Sequence, residues 1–93
     1  MSITFHIPAY LAAFADGQRS LKLASPAATV REALDGLWNL HPALRDRVLD
    51  EQGEVRQHIN LFVDDESIRF AGGLATPVPD GSEILIVPAV SGG

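Results

Sequence analysis

The N-terminal part of the chain alternates apolar and polar residues in two stretches. In "SITFHI", residues 2–7, every second residue is apolar, which is the period of a strand with one face in a core. The stretch "LKLAS", residues 21–25, repeats this alternation, and the Asp16-Gly17 dipeptide before it is typical of a tight turn. We therefore predict that two strands form a hairpin, while the pattern of residues 8–14 leaves their structure open.

The middle of the chain carries apolar residues at helical spacing. Thr29 is followed three residues later by Glu32, the spacing of a capping box, in which two side chains satisfy free amides at a helix start. The positions that follow predict a helix to about Leu40 with one stripe against a sheet, made of Val30, Ala33, Leu34, Leu37, Trp38 and His41. A proline after His41 disfavours further helix, and "PALRDRVL" predicts a second short helical segment before the polar loop "DEQGEVRQ".

The second half of the chain returns to strand patterns. "HINLFV" leads to the acidic turn "DDES", a short "IRF" segment belongs to the same β region, and "AGGLATPVPDGS" is a long connection. The last strand, "EILIVP", is almost wholly apolar, which indicates a central strand buried on one face and partly covered on the other. Pro88 cannot donate to a neighbouring strand, so we expect residues 89–93 to leave the sheet as a flexible tail.

These elements follow the order ββαββ and predict one α+β domain over residues 1–93, a β-grasp roll with one main helix on a mixed sheet. A formal charge of −5 argues against nucleic acid as a partner. The sequence has no cysteine, which excludes a thiol nucleophile and a Cys-ligated zinc. It also lacks the basic start of a signal peptide and any apolar run of about 20 residues, so we expect no membrane partner and a cytoplasmic location.

No set of residues in the sequence supports independent catalysis. The three histidines, His6, His41 and His58, are far apart and lack metal-ligand spacing, so we interpret them as surface or packing residues. "DDES" lacks the pattern of a calcium loop and is interpreted as a solvated turn. The internal Gly72-Gly73 pair is expected to supply positive φ in a loop. There is no P-loop, so the sequence predicts a protein that is not an enzyme and binds no cofactor itself.

The sequence ends on "VPAVSGG", where two glycines follow an apolar strand and a proline. At background glycine frequency such a pair occurs by chance in roughly one chain in 200. A chemical interpretation makes the last carboxyl the reacting group. A free α-carboxyl has a pKa of about 3.5 and is an anion at neutral pH, so another protein must activate it. Glycines without Cβ atoms would let the end enter a narrow enzyme channel.

The stretch "FVDDESIRFAGGLATPVPDGSEILIVPAVSGG", with the ββαββ pattern before it, resembles the small ubiquitin-like sulfur carriers of the MoaD/ThiS family. The resemblance covers essentially the whole chain. Within the family, "HIPAYL", "HINLFVDDESIRFAGGLAT" and "VPAVSGG" are most similar to the CysO-type carriers, which serve a cysteine synthase that uses O-phosphoserine.

This resemblance implies that an E1-like adenylyltransferase and sulfurtransferase adenylates Gly93 with ATP and converts it with a sulfur donor to a thiocarboxylate. A sulfur-accepting biosynthetic enzyme then uses that sulfur. The residues expected to thread into the partner's active site are Val90, Ser91 and Gly92. Ser91 departs from the alanine or glycine expected before the pair and adds a hydroxyl there. The final acceptor stays open among cysteine, molybdopterin, the thiazole of thiamine and a thio-sugar.

Alternation in the strands predicts a second functional feature. If Ile59, Leu61 and Val63 face the helix, Phe62 faces the opposite side, where Leu85 or Val87 can join it. We hypothesise a partner-docking patch there; the alternative is that Phe62 packs under a loop or is singly exposed. Two other functions stay open: a ubiquitin-like modifier joined to lysines through Gly93, and a binding module whose glycines are inert.

Overall fold

The structure is a computed structural model that describes residues 2–24 and 27–88. Its strands are β1 (Ile3–His6), β2 (Ser20–Leu23), β3 (Ile59–Val63), β4 (Glu66–Ser67) and β5 (Glu83–Pro88). Its α-helices are α1 (Ala9–Ala12), α2 (Val30–Leu40) and α3 (Arg45–Val48), and three single 3₁₀ turns cover Pro42–Leu44, Ile68–Phe70 and Gly73–Ala75.

The five strands form one mixed sheet in the order β2-β1-β5-β3-β4. Strand β1 pairs antiparallel with β2 and parallel with β5, while β3 pairs antiparallel with both β5 and β4. The predicted hairpin of the first two strands is confirmed, and so is the central position of the last strand. The main helix α2 lies across this sheet, so the predicted α+β β-grasp architecture is confirmed.

Helix α2 begins where the capping pattern predicts. The Thr29 hydroxyl oxygen accepts from the Glu32 N–H at 3.3 Å. The Glu32 carboxylate returns to the N–H of Ala28 at 3.0 Å, one residue earlier than in the usual capping box. Five of the six residues predicted for the sheet-facing stripe are buried, and His41 is the half-buried residue that ends the helix.

The structure corrects the sequence analysis in the second half of the chain. The "IRF" segment is a 3₁₀ turn rather than part of the β region, and the hydroxyl oxygen of Ser67 accepts from the N–H of Arg69 at its start. The strand that follows β3 is β4, which consists of the last two residues of "DDES". The pattern left the structure of residues 8–14 open. In the structure Pro8 precedes the short helix α1, which buries Leu11 and Ala12.

One face of the sheet carries the core. Phe5, Leu61, Ile84 and Ile86 each expose 1% or less of their surface, because α2 and the segments around it cover this face. The intervening residues of the same strands point to the other face and are half-buried or exposed. The sheet therefore has a closed face and an open face.

Candidate functional site

The end of β5 is the point from which the chain leaves the sheet. Strand β3 pairs with β5 as far as Ile59, which lies opposite Pro88. Strand β1 pairs only with Glu83 to Leu85, so β3 alone holds the last three residues of β5. Ile84 and Ile86 are fully buried and fix the strand in the core. The strand thus delivers Pro88 at a defined position at the margin of the sheet.

The predicted reactive and threading residues follow Pro88. Val90, Ser91, Gly92 and the proposed covalent site Gly93 lie outside the described residues, as does the whole predicted flexible tail, residues 89–93. Their roles stay predictions, and the structural argument for them rests on the position of β5.

The structure brings the three predicted docking residues together on the open face. Phe62 of β3 lies directly opposite Leu85 of β5, and Val87 lies opposite Asn60, one position diagonal to Phe62. The Cβ atoms of such positions are separated by about 5–8 Å, which is within reach of aromatic and long side chains across the strands. All three residues are half-buried. We call Phe62, Leu85 and Val87 the open-face patch; its role in docking stays a prediction.

Polar residues border the open-face patch on the side away from Pro88. His6 of β1 lies beside Leu85, and its Nε2 atom is 2.5 Å from Oε1 of Glu83. The Glu83 N–H donates to the Asp64 carboxylate at 3.1 Å, and the Asp64 N–H donates to the Glu83 carbonyl at 2.8 Å. Asp64 is exposed and has a φ of +54°, and its two hydrogen bonds with Glu83 tie the acidic turn to the start of β5.

The internal glycine pair belongs to a closed loop. Gly73 has a φ of +59°, as predicted, whereas Gly72 has a φ of −139° and does not need to be glycine for that reason. The hydroxyl of Thr76 accepts from the Gly72 N–H at 3.0 Å and donates to the Gly73 carbonyl at 2.6 Å. Thr76 is 4% exposed, so these bonds satisfy a buried hydroxyl.

Phe70 is an exposed aromatic residue that the sequence analysis did not identify. Phe70 ends the 3₁₀ turn after β4 and exposes 84% of its surface. Its sequence signal is an aromatic residue two positions before a glycine pair, and the assignment of "IRF" to the β region did not predict its exposure. In residues 2–24 and 27–88, no group of His, Asp or Glu side chains has the arrangement to hold a metal ion. Among the same residues, no helix is both long enough and apolar enough to cross a membrane.

Comparisons with known proteins agree on one family. The model of the ThiS family matches residues 5–93. The sulfur carrier protein CysO of Mycobacterium tuberculosis is 34% identical over 95 residues, which covers all of both chains. The structure is also similar to the crystal structure of the Amycolatopsis orientalis BexX/CysO complex, with a TM-score of 0.86, 36% identity and coverage of 98% of this chain and 99% of that one.

A second group of similar proteins consists of modifiers. The crystal structure of SAMP1 from Haloferax volcanii superimposes with a TM-score of 0.80 at 36% identity, and the match covers all of both chains. Small archaeal modifier protein 1 of the same organism is 42% identical over 66 residues, or 71% of each chain. Carriers and modifiers therefore share this fold and this level of identity with the chain.

Proposed function

The chain belongs to the ThiS family, and we propose on that basis that it is a sulfur carrier whose Gly93 carboxylate is converted to a thiocarboxylate. At the coarser level, the relatives establish a carrier or modifier of the ubiquitin-like type. The observation that carries the finer proposal is the position of β5. A buried central strand ends at Pro88, five residues before Gly93, and the family match includes Gly93 itself.

The chemistry starts from an unreactive carboxylate. An α-carboxylate is an anion at neutral pH and a poor electrophile. An E1-like enzyme first joins it to AMP with ATP as the donor, and pyrophosphate leaves. A donor that delivers sulfide then attacks the acyl carbon, the bond to AMP breaks, and AMP leaves with the electron pair. The product is a thiocarboxylate at Gly93, and this chain contributes the acyl group and its presentation while the partner supplies the catalytic groups.

The tail has a short reach. Five extended residues span at most roughly 17 Å, since each covers about 3.3–3.6 Å. The partner's reacting groups must therefore come close to the domain, and the open-face patch lies on the strands that end next to the tail. We propose that the activating enzyme docks on Phe62, Leu85 and Val87. A chain with a formal charge of −5 favours a partner whose surrounding surface is basic.

We propose a cysteine synthase as the sulfur-accepting enzyme, because the sequence resembles the CysO-type carriers and the sulfur carrier protein CysO is among its relatives. The Amycolatopsis orientalis relative was crystallised in complex with BexX, which supports a carrier that binds a second protein directly. A second candidate function is supported by the modifiers: SAMP1 is 36% identical and matches the whole chain. In that case the same adenylated Gly93 is transferred to a lysine amine instead of receiving sulfur.

The intact mass of the protein tests the proposal. The full chain is incubated with an E1-like enzyme, ATP and a sulfide donor, beside a variant that lacks Gly93. We expect the mass gain of one oxygen-to-sulfur exchange in the full chain and no change in the deletion variant. Adding a protein extract distinguishes the second candidate, because a modifier forms conjugates with other proteins. An unchanged mass together with no conjugates in the extract, with an enzyme that activates another family member, would contradict both functions.

A further inference from the structure

One exposed aromatic side chain lies outside the open-face patch. Phe70 ends the 3₁₀ turn Ile68–Phe70, which we call the Phe70 turn, and it is the most exposed large apolar residue in the described part of the chain. The six residues that begin with it, "FAGGLA", carry no polar side chain, and four of them are exposed. A contiguous apolar surface of this kind is typical of a site that binds another molecule.

Hydrogen bonds fix the backbone of the Phe70 turn. At its start the Ser67 hydroxyl oxygen accepts from the Arg69 N–H at 3.3 Å, and at its end the Ala71 N–H donates to the Ile68 carbonyl at 3.1 Å. The buried side chain of Ile68 also holds the turn in the core. A side chain on a fixed backbone loses less conformational entropy on binding than one on a flexible loop.

The spacing of side chains in the Phe70 turn determines the direction of Phe70. A 3₁₀ helix has three residues per turn, so successive side chains point about 120° apart. Ile68 points into the core, and Arg69 lines a cavity of about 460 Å³ together with Arg31 of α2. Phe70 does not line this cavity. The third direction, that of Phe70, therefore leads away from both the core and α2.

The Phe70 turn lies next to the open-face patch. Leu85, Phe62 and Ser67 are directly opposite one another across β5, β3 and β4. Neighbouring strands are about 4.8 Å apart, and three residues span at most about 11 Å. The Cα atom of Phe70 is three residues after that of Ser67, so it lies within roughly 16 Å of the Cα atom of Phe62.

The area that a protein partner needs includes this distance. A stable interface buries about 800 Å² on each partner, which corresponds to a disc with a radius of about 16 Å. The three side chains of the open-face patch are already half-buried and cannot supply this area alone. A disc of this size around Phe62 reaches Phe70, which offers an almost fully exposed ring.

We propose that Phe70 is a second aromatic anchor for the E1-like activating enzyme, which holds the ring in an apolar pocket while it docks on the open-face patch. This inference rests on the proposed function, because it names a further contact of the same partner. The exposed acidic residues Asp64, Asp65 and Glu66 lie between Phe62 and Phe70 in the chain. Their charge is complementary to the basic surface proposed for that enzyme.

Calorimetric titration of the full chain with the E1-like enzyme of the mass measurement tests the contact. Phe70→Ala should raise the dissociation constant about thirtyfold, the effect of losing a central aromatic anchor. Phe70→Leu keeps an apolar side chain and should recover part of the affinity.

Leu40→Ala is the matched control for these substitutions. Leu40 is also an exposed apolar residue, but it ends α2, which covers the closed face. This variant should change the dissociation constant less than about twofold. All three variants should unfold at the wild-type midpoint, because the replaced side chains are exposed.

Activation kinetics add a readout that a general loss of structure would not give. The rate of sulfur incorporation at a saturating concentration of Phe70→Ala should equal that of the wild type, while the KM should rise about thirtyfold, because Phe70 contributes to binding and does not touch the reacting carboxylate. A lower maximal rate with an unchanged KM would contradict the proposal.

The outcomes separate this inference from the proposed function. If the wild type gains sulfur but Phe70→Ala binds as tightly, or Leu40→Ala weakens binding equally, only the role of Phe70 is overturned. A wild-type dimer in sedimentation that Phe70→Ala abolishes would assign Phe70 to contacts between copies and also overturn it. If the enzyme binds with the expected dependence on Phe70 but no sulfur is gained, the contact is supported and the proposed function fails. Absence of binding contradicts both.

Discussion

The two faces of the sheet are built from the same strands but differ in burial. On the closed face Leu61 and Ile86 expose 1% and 0% of their surface, whereas their neighbours Phe62 and Val87 are half-buried on the open face. Burial on the closed face contributes to the free energy of unfolding. Apolar surface that stays accessible on the open face contributes less to folding and is available to a partner. Adjacent positions in one strand should therefore respond differently to substitution.

The largest difference is expected in stability. Ile86→Ala leaves a cavity in a fully buried site and should lower the free energy of unfolding by about 2–5 kcal/mol. Val87→Ala, one residue later on the open face, should lower it by about 1 kcal/mol. Urea unfolding monitored by circular dichroism measures both. Equal losses in the two variants would show that the open face is as important for folding as the closed face.

The next effect concerns binding to the activating enzyme. Phe62→Lys should weaken the complex by about 2 kcal/mol, or roughly thirtyfold, because it removes an aromatic anchor and places a cation before a basic partner. The substitution should lower the free energy of unfolding by about 1 kcal/mol, because strand propensities span about this range. Calorimetric titration with the enzyme gives the dissociation constant.

Thr4→Lys provides the control for this substitution. Thr4 lies on the open face of β1 outside the open-face patch, opposite Glu83 and not opposite Leu85. It adds the same charge without removing Phe62. If Thr4→Lys and Phe62→Lys weaken the complex equally, charge and not the patch determines the affinity.

A smaller effect on the closed face comes from the start of α2. Thr29→Ala removes the acceptor for the Glu32 N–H and should lower the free energy of unfolding by about 1 kcal/mol. Thr29→Ser keeps a hydroxyl acceptor and should retain most of the stability. Thermal unfolding of the two variants measures the difference. A Thr29→Ser variant as unstable as Thr29→Ala would assign the effect to the lost methyl group instead of the cap.

The smallest effect lies in the loop between α3 and β3 and depends on pH. Hydrogen bonds from backbone N–H groups, above all that of Glu54, lower the pKa of Asp50 from its ordinary value of 3.8. A carboxyl with a lowered folded-state pKa stabilises the protein above its unfolded-state pKa, and this contribution is lost as the pH falls through the folded-state value. The Asp50→Asn variant has no carboxyl to protonate at this position. When the pH falls below 3.8, its free energy of unfolding should therefore decrease less than that of the wild type.

The measurement for Asp50 is the unfolding midpoint of both proteins in a pH series. Asp64→Asn is the matched control, because Asp64 also accepts a backbone N–H but at the opposite end of β3. If Asp50→Asn and the wild type lose stability in parallel on acidification, the loop carboxylate has no part in the pH dependence.

Much of the fold could be predicted because its signals are local. Alternation identified β1, β2 and β3, and the spacing of Thr29 and Glu32 located the start of α2. Strand β4 could not be predicted from its two residues, because a pairing this short depends on the turn at Asp64 and has no period of its own. The assignment of "IRF" to the β region was wrong for a similar reason, since the Ser67 cap overrides the strand propensity of Ile68 and Phe70.

Some features of the candidate site could also be predicted from the sequence, and others could not. Alternation alone was sufficient to place Phe62, Leu85 and Val87 on one face, and the register brings them together. The cavity lined by Arg31 and Arg69 was not predicted, because these residues are 38 positions apart in the sequence and line one cavity only after α2 packs on the sheet. The role of Gly93 came from a family resemblance, since no periodic pattern reports the chemistry of a terminal carboxyl.

The central place of β5 also has a consequence for synthesis of the chain. Strand β5 separates the β1–β2 hairpin from β3 and β4, so no strand joins these two parts of the sheet until residues 83–88 have been synthesised and have left the ribosome. Such long-range pairing is slow to form, and two unpaired strand edges invite association with other chains. A nascent chain that stalls before Glu83 is therefore expected to aggregate or to need a chaperone.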